Sequence, residues 1–174
     1  MCNFLSAIIT KNDVFYDFDI DSHEELIKKH GLNDKTKDPD FVRVEYVPED
    51  VLDDKKPWAF RTDQDFKPEW YSEKWAEKQM QPIRKLFYKE RVIKNAKETF
   101  KIEKGNRWYI FNSKVVARGN STVDAWDNSK VDAWDNSKVD AWDNSKVDVK
   151  DDAICKRRYE IIVANKDYKL VYQK

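Results

Sequence analysis

Glycine is almost missing from this 174-residue chain. Gly31, Gly105 and Gly119 are the only three, too few and too far apart for a GxGxxG fingerprint or a P-loop, both of which need closely spaced glycines to bring backbone amides to phosphate. Cysteine is nearly as scarce: Cys2 and Cys155 make no disulfide framework, which suits a reducing, cytoplasmic setting. His23 and His30 are the only histidines, and with two distant cysteines they match no zinc pattern, so neither a metal nor a cofactor is expected. Long apolar runs are absent too. Stretches such as Ala7-Ile8-Ile9 fall far short of the roughly 18 residues a membrane span needs. The first residues carry no basic segment leading into a hydrophobic one, so no signal peptide is expected. Net charge is also lacking, because 33 Lys and Arg balance 33 Asp and Glu, leaving no global pull toward nucleic acid or membrane.

What the chain does have is charge, aromatic rings and a repeat. Charged residues make up 38% of it against about 25% in an average domain, so a highly charged surface must enclose a modest core. Trp, Tyr and Phe number 7, 8 and 9, and rings of that size dominate packing in so polar a chain.

Residues 1–104 read as a small α+β head. Residues 3–10 and 14–20, separated by Lys11-Asn12-Asp13, carry a hairpin signal. Ser22 with Glu25 three residues on forms a capping box for a helix over 22–30, and Gly31 sits where its C-terminus wants a left-handed residue. The alternation in FVRVEYV from Phe41 predicts a strand that Pro48 ends. Residues 48–67 read as a long loop tied down by Trp58, Phe60 and Phe66. Pro68 opens a helix that Pro82 kinks or restarts, with Ile83, Leu86 and Phe87 on one face.

Residues 105–174 read as an all-β repeat with C-terminal capping strands. Its core, residues 112–151, is five octads: NSKVVARG, NSTVDAWD, NSKVDAWD, NSKVDAWD and NSKVDVKD. The same spacing runs on more loosely through DAICKRRY and EIIVANKD. Within each octad Val and Ala alternate with Lys, Asp and Trp, which is a strand with an apolar and a polar face. Asp-Asn-Ser then supplies the turn. Two folds fit: a flattened, β-helix-like octapeptide β-solenoid with two octads per coil, or an antiparallel meander with one octad per strand. In-register pairing of identical units favours the solenoid. A lone octad cannot stand. Burying its Val contributes about 1.5–3 kcal/mol, while ordering eight residues costs on the order of 8–16 kcal/mol, so neighbours and end caps must supply the rest. Trp108-Tyr109-Ile110-Phe111 before the array and Tyr159 to Val163 after it are the expected capping strands, and Arg118 and Lys150 replace the tryptophan in the border octads.

Four groups of residues invite a functional reading. Trp126, Trp134 and Trp142 face away from the Val/Ala core by parity, as a binding strip or as cover for another surface. In a two-octad coil, Trp126 and Trp142 share one face and Trp134 lies opposite. Residues 120–152 hold nine Asp and four Lys, but calcium-binding solenoids combine aspartate with glycine-rich units, so self-compensation of charge is the better account. Residues 84–107 are basic, and Arg84, Lys85, Lys89, Arg91, Lys94 and Lys97 could hold nucleic acid, although a solvated helix is the more ordinary source of such a run. Finally, removal of Met1 would expose Cys2, whose own amine can serve as general base.

The opening MCNFLSAIITKNDVFYDFD resembles that of N-terminal-nucleophile amide hydrolases: Met-Cys, a strand, a turn, a second strand. That resemblance implies a small Cys2-dependent hydrolase or transferase, with His23, Arg43 and Glu45 as the further polar groups to test. The first half is much shorter than those folds, and no arginine-asparagine pair follows the second strand. Taken whole, the MCNF opening, the SHEELIKKHGL helix, the FVRVEY strand and the octads resemble a class of small phage and mobile-element proteins. That resemblance implies architecture and no activity. The expectation is a non-enzymatic binding or accessory protein, whose partner is a protein or a second copy of itself.

Overall fold

The computed structural model describes residues 4–34, 40–103, 105, 107–157, 160–163 and 171–173. The chain divides into two compact units, Met1–Phe87 and Tyr88–Lys174. Among the described residues no helix is long and apolar enough to cross a membrane.

In the first unit, β1 (Leu5–Thr10) and β2 (Val14–Tyr16) form an antiparallel hairpin. Its turn is closed by Thr10, whose Oγ1 accepts from the Asp13 amide at 2.9 Å. β3 (Phe41–Pro48) and β4 (Trp58–Thr62) complete a four-stranded antiparallel sheet in the order β2-β1-β3-β4. Helix α1 (His23–Lys29) begins at Ser22, whose hydroxyl accepts from the Glu25 amide, and Gly31 follows it at φ +62°. The Ser22 hydroxyl in turn donates to Glu24, the carboxylate nearer the cap. Leu26 and Ile27 of α1 pack on Ile8 and Phe41.

Two local expectations for this unit need correction. The segment 48–67 is not all loop, because Trp58–Thr62 adds β4 to the sheet edge, and Trp58 is buried against Phe4, Tyr46 and Phe87. Phe66 ties nothing down; it is 60% exposed. Helix α2 (Glu73–Arg91) starts five residues after Pro68, since Pro68 to Tyr71 closes a separate turn and the Ser72 carbonyl accepts the first helical bond, from Ala76. It then runs through Pro82 as one helix. Pro82 therefore does not start a second helix; it gives up the amide that would reach back one turn, and Ala76, Met80, Ile83 and Phe87 keep a buried stripe across it.

The second unit is a β-solenoid. Strands β5 (Val92–Lys94), β7 (Trp108–Phe111), β9 (Thr122–Trp126), β11 (Lys138–Ala141) and β13 (Ile154–Arg157) stack in parallel in one sheet. Strands β6 (Phe100–Ile102), β8 (Lys114–Ala117), β10 (Lys130–Ala133) and β12 (Lys146–Val149) stack in parallel in the other. The octads pair in parallel, which excludes the meander. The register explains why: Lys130 stands beside Lys114 and Lys146, and Val139 beside Val123, so identical side chains fall on neighbouring rungs. Val115, Val123, Val131 and Val139, with the octad alanines, fill the interior and are at most 1–2% exposed. The octad serines, expected in the turn, also point inward: Ser121, Ser129 and Ser137 are fully buried. Ser129 Oγ donates to the Trp126 carbonyl at 2.6 Å, while the hydroxyls of Ser137 and Ser145 have no hydrogen-bond partner.

Each octad ends at a left-handed corner: Gly119, Asp127, Asp135, Asp143 and Asp151 have φ of 63°, 58°, 58°, 54° and 57°. Asp135 Oδ2 accepts from the Gly119 amide at 3.0 Å, one coil away, and Asp143 Oδ2 from the Asp127 amide at 3.3 Å. The aspartates therefore satisfy the corner amides of the preceding coil.

At the ends the expectations shift. Trp108–Phe111 is no outer cap, because β5 pairs on its far side. The basic stretch 84–107 is no single helix, since α2 stops at Arg91 and β5 and β6 follow. After β13 the coil does not continue. β14 (Glu160–Val163) folds back antiparallel on β13, and β15 (Val171–Gln173) pairs antiparallel with β14. Tyr159 and residues 164–167 lie outside the described residues.

Candidate functional site

The three array tryptophans occupy the same octad position and three different environments. Trp134 is gripped by cations at two neighbouring rungs, with the Arg118 guanidinium 5.3 Å and the Lys150 ammonium 4.1 Å from its ring centre. These are the two border residues that replace tryptophan, and the two-octad register places them one coil before and one coil after it. Trp126 lies nearly parallel to Tyr109, with 6.0 Å between centroids and 12° between planes. Trp142 is 46% exposed, and among the described residues no ring or cation packs on it. Side chains of Trp126 and Trp142 rise from one sheet, next to β9 and β11, and Trp134 from the other.

Ring–cation pairing is a habit of this chain. At least seven such contacts exist among the described residues, where about two would be ordinary for the length. It accounts for much of the basic stretch. Arg84 lies over Trp58 and donates to the carbonyls of Asp54 and Lys56. Arg91 lies over Trp108 and Lys94 over Phe111. Three of the six basic residues singled out for nucleic acid are thus engaged within the chain.

Beside Trp126 the outer face of the larger sheet holds a polar group that the sequence reading missed. Asp124 is only 4% exposed although parity sends it outward. Arg107 Nε donates to Asp124 Oδ2 at 2.8 Å, and the same guanidinium reaches to 4.0 Å from Asp140, the register neighbour of Asp124. Burial pushes the Asp124 carboxyl up to about 6; Arg107 pulls it down by less, and Asp140 adds to the rise. Burial also raises the Tyr109 phenol well above its ordinary range. The repeated Asp at octad position five was a visible signal for an acid pair. Arg107 lies outside the octads, so nothing in the period pointed to it.

Of the residues named for a Cys2 enzyme, His23 lies on α1 and Arg43 and Glu45 lie on β3. His23 is buried, with Nε2 3.0 Å from the Val44 carbonyl and Nδ1 3.3 Å from Asp63 Oδ2. Arg43 binds Asp34 and Gln64 and lies over the Phe41 ring. Glu45 is buried in β3, in register with Ser6 and Arg61. Cys2 lies outside the described residues. Cys155 is a buried thiol in the solenoid interior, on the Val139 rung. Among the described residues no three His, Cys, Asp or Glu side chains are grouped to hold a metal ion.

No protein-family model matches this chain, and its comparison with curated proteins and with solved structures yields no match either.

Proposed function

We propose that this chain is a non-enzymatic binding or accessory protein, of the kind small phage and mobile-element proteins provide, whose β-solenoid presents surface to a protein partner or mediates assembly. The observation that carries the reading is the near-identity of the octads. Units that alike stack into a regular outer face, and their number can change by duplication without altering any single rung. A reaction centre of fixed geometry would tolerate such changes badly.

Two experiments test it. The chain is used to capture partners from its native cell, against a variant with Trp126, Trp134 and Trp142 changed to serine and shown to be folded by circular dichroism. Loss of a partner in the variant is the expected result. The reading fails if deletion of Asn128 to Asp143 abolishes a defined enzymatic activity while the protein stays folded.

A further inference from the structure

We propose that Asp124, Asp140 and Arg107 form a proton-operated clasp across three neighbouring strands of the larger sheet. In its ionised form Asp124 holds Arg107 and ties β7 to β9. Once protonated from solvent, it donates to Asp140, ties β9 to β11 and lets Arg107 go.

The register assembles the three groups. β7, β9 and β11 are consecutive strands of one sheet, spaced about 4.8 Å apart. Asp124 of β9 and Asp140 of β11 stand directly in register, so their carboxyl groups lie side by side on the outer face. Arg107 comes from the residue just before β7. Its Nε donates to Asp124 Oδ2 at 2.8 Å, and its Nη2 lies 4.0 Å from Asp140 Oδ2. One guanidinium thus faces two carboxylates and neutralises the charge of only one. Two adjacent carboxylates drawn out of water do not both ionise freely. Burial is the largest cause favouring the protonated form of Asp124; Arg107 opposes it, and Asp140 adds to it.

Access to water decides which group does what. The side chains of Arg107 and Asp140 are 55% and 36% exposed, against 5% for Asp124. The buried carboxyl therefore takes the proton, and its more exposed neighbour accepts the hydrogen bond. The guanidinium, already half in water, has solvent to move into. Three other titratable groups lie around the pair among the described residues. Tyr109 is in register with Asp124 on β7, and burial holds its phenol far above the acidic range. Lys138 stands two residues before Asp140 on β11, and Lys156 is in register with Asp140 on β13. Both lysines are exposed, and ordinary ammonium groups change no charge in the acidic range.

The test is an NMR titration of the full chain, following the Asp carboxyl carbons and the Arg107 side chain. The Asp124 carboxyl is expected to titrate at about 6. Across that point the Arg107 Nε resonance should shift, and its order parameter should fall on the acid side. Asp140→Asn removes the neighbouring charge and should lower the Asp124 midpoint. Arg107→Gln removes the cation and should raise it, each shift being roughly half a pH unit or more. Three results overturn the clasp: an Asp124 carboxyl that titrates in the ordinary carboxylate range, an Arg107 side chain equally ordered on both sides of the midpoint, or a midpoint that Asp140→Asn leaves in place. Should either variant lose its fold, the first two readouts on the wild-type chain decide the proposal.

Discussion

Asp124 is a carboxyl group that strand parity sends outward and the fold nevertheless buries. Its folded value near 6 lies above the ordinary 3.8, so between about pH 4 and pH 6 the folded chain holds a proton that the unfolded chain has released. Stability from this group is fully present below pH 4 and is lost as pH rises through 6. A shift of that size corresponds to about 3 kcal/mol. Asp124→Asn imitates the protonated form. Urea midpoints measured from pH 4 to pH 7 should fall across the window in the wild type and stay flatter in the variant, which should match or exceed the wild type at pH 7. An unchanged slope would show that Asp124 is not the group that titrates. The tryptophans give a second comparison at this scale. Trp134→Ala removes a ring held by two cations and should cost roughly 1–3 kcal/mol. Trp142→Ala at the same octad position should cost less than Trp134→Ala, because nearly half of the Trp142 side chain is already in solvent.

At the scale of the element, the octad strands are legible in the sequence because period two and period eight coincide there. Val and Ala must fall on one face and Trp on the other whichever way the coil is wound. Of the strands before the array, β7 was legible as an apolar run, while β5 and β6 were not. Val92 pairs with Tyr109 and Trp108 with Val123, offsets of 17 and 15 instead of 16, so the period breaks where β5 and β7 join it. The left-handed corner is kept all the same, with Asn95 and Asn112 standing in register where Asp127 follows. Three-residue strands within a basic run also carry too little alternation to betray themselves, and their neighbours impose the conformation. The burial of Asp124 was hidden for a related reason, since it depends on Arg107 from outside the repeat. The corners themselves were readable from Asp-Asn-Ser, and they can be tested singly. Asp135 holds φ +58° and accepts from the Gly119 amide. Asp135→Ala loses both the residue type that tolerates this conformation and the acceptor, for about 1–2 kcal/mol. Asp135→Gly restores the conformational freedom and should recover part of that loss in thermal melts.

For the solenoid as a whole, what matters is which sheet each strand enters. Successive octads alternate between the two sheets, and only the larger one is closed by the antiparallel pair β14 and β15. Deleting Asn128 to Asp143 removes β10 and β11 together. β12 then stacks on β8 in the place of β10, and β13 on β9 in the place of β11, so every remaining strand keeps its sheet and the closing pair stays with the larger one. Deleting only Asn136 to Asp143 removes half as much chain and keeps Val and Ala inside. It nevertheless moves β12 to the larger sheet and β13, with its closing pair, to the smaller. Loss of a full coil should cost on the order of 1–2 kcal/mol, the share of sixteen residues in a domain of ordinary stability, with one cooperative transition retained. The eight-residue deletion should cost more, because it misplaces a cap in addition to shortening the stack. Denaturation of the two variants side by side decides it. If stability simply scales with the number of residues removed, the assignment of strands to sheets does not govern the stability of this array.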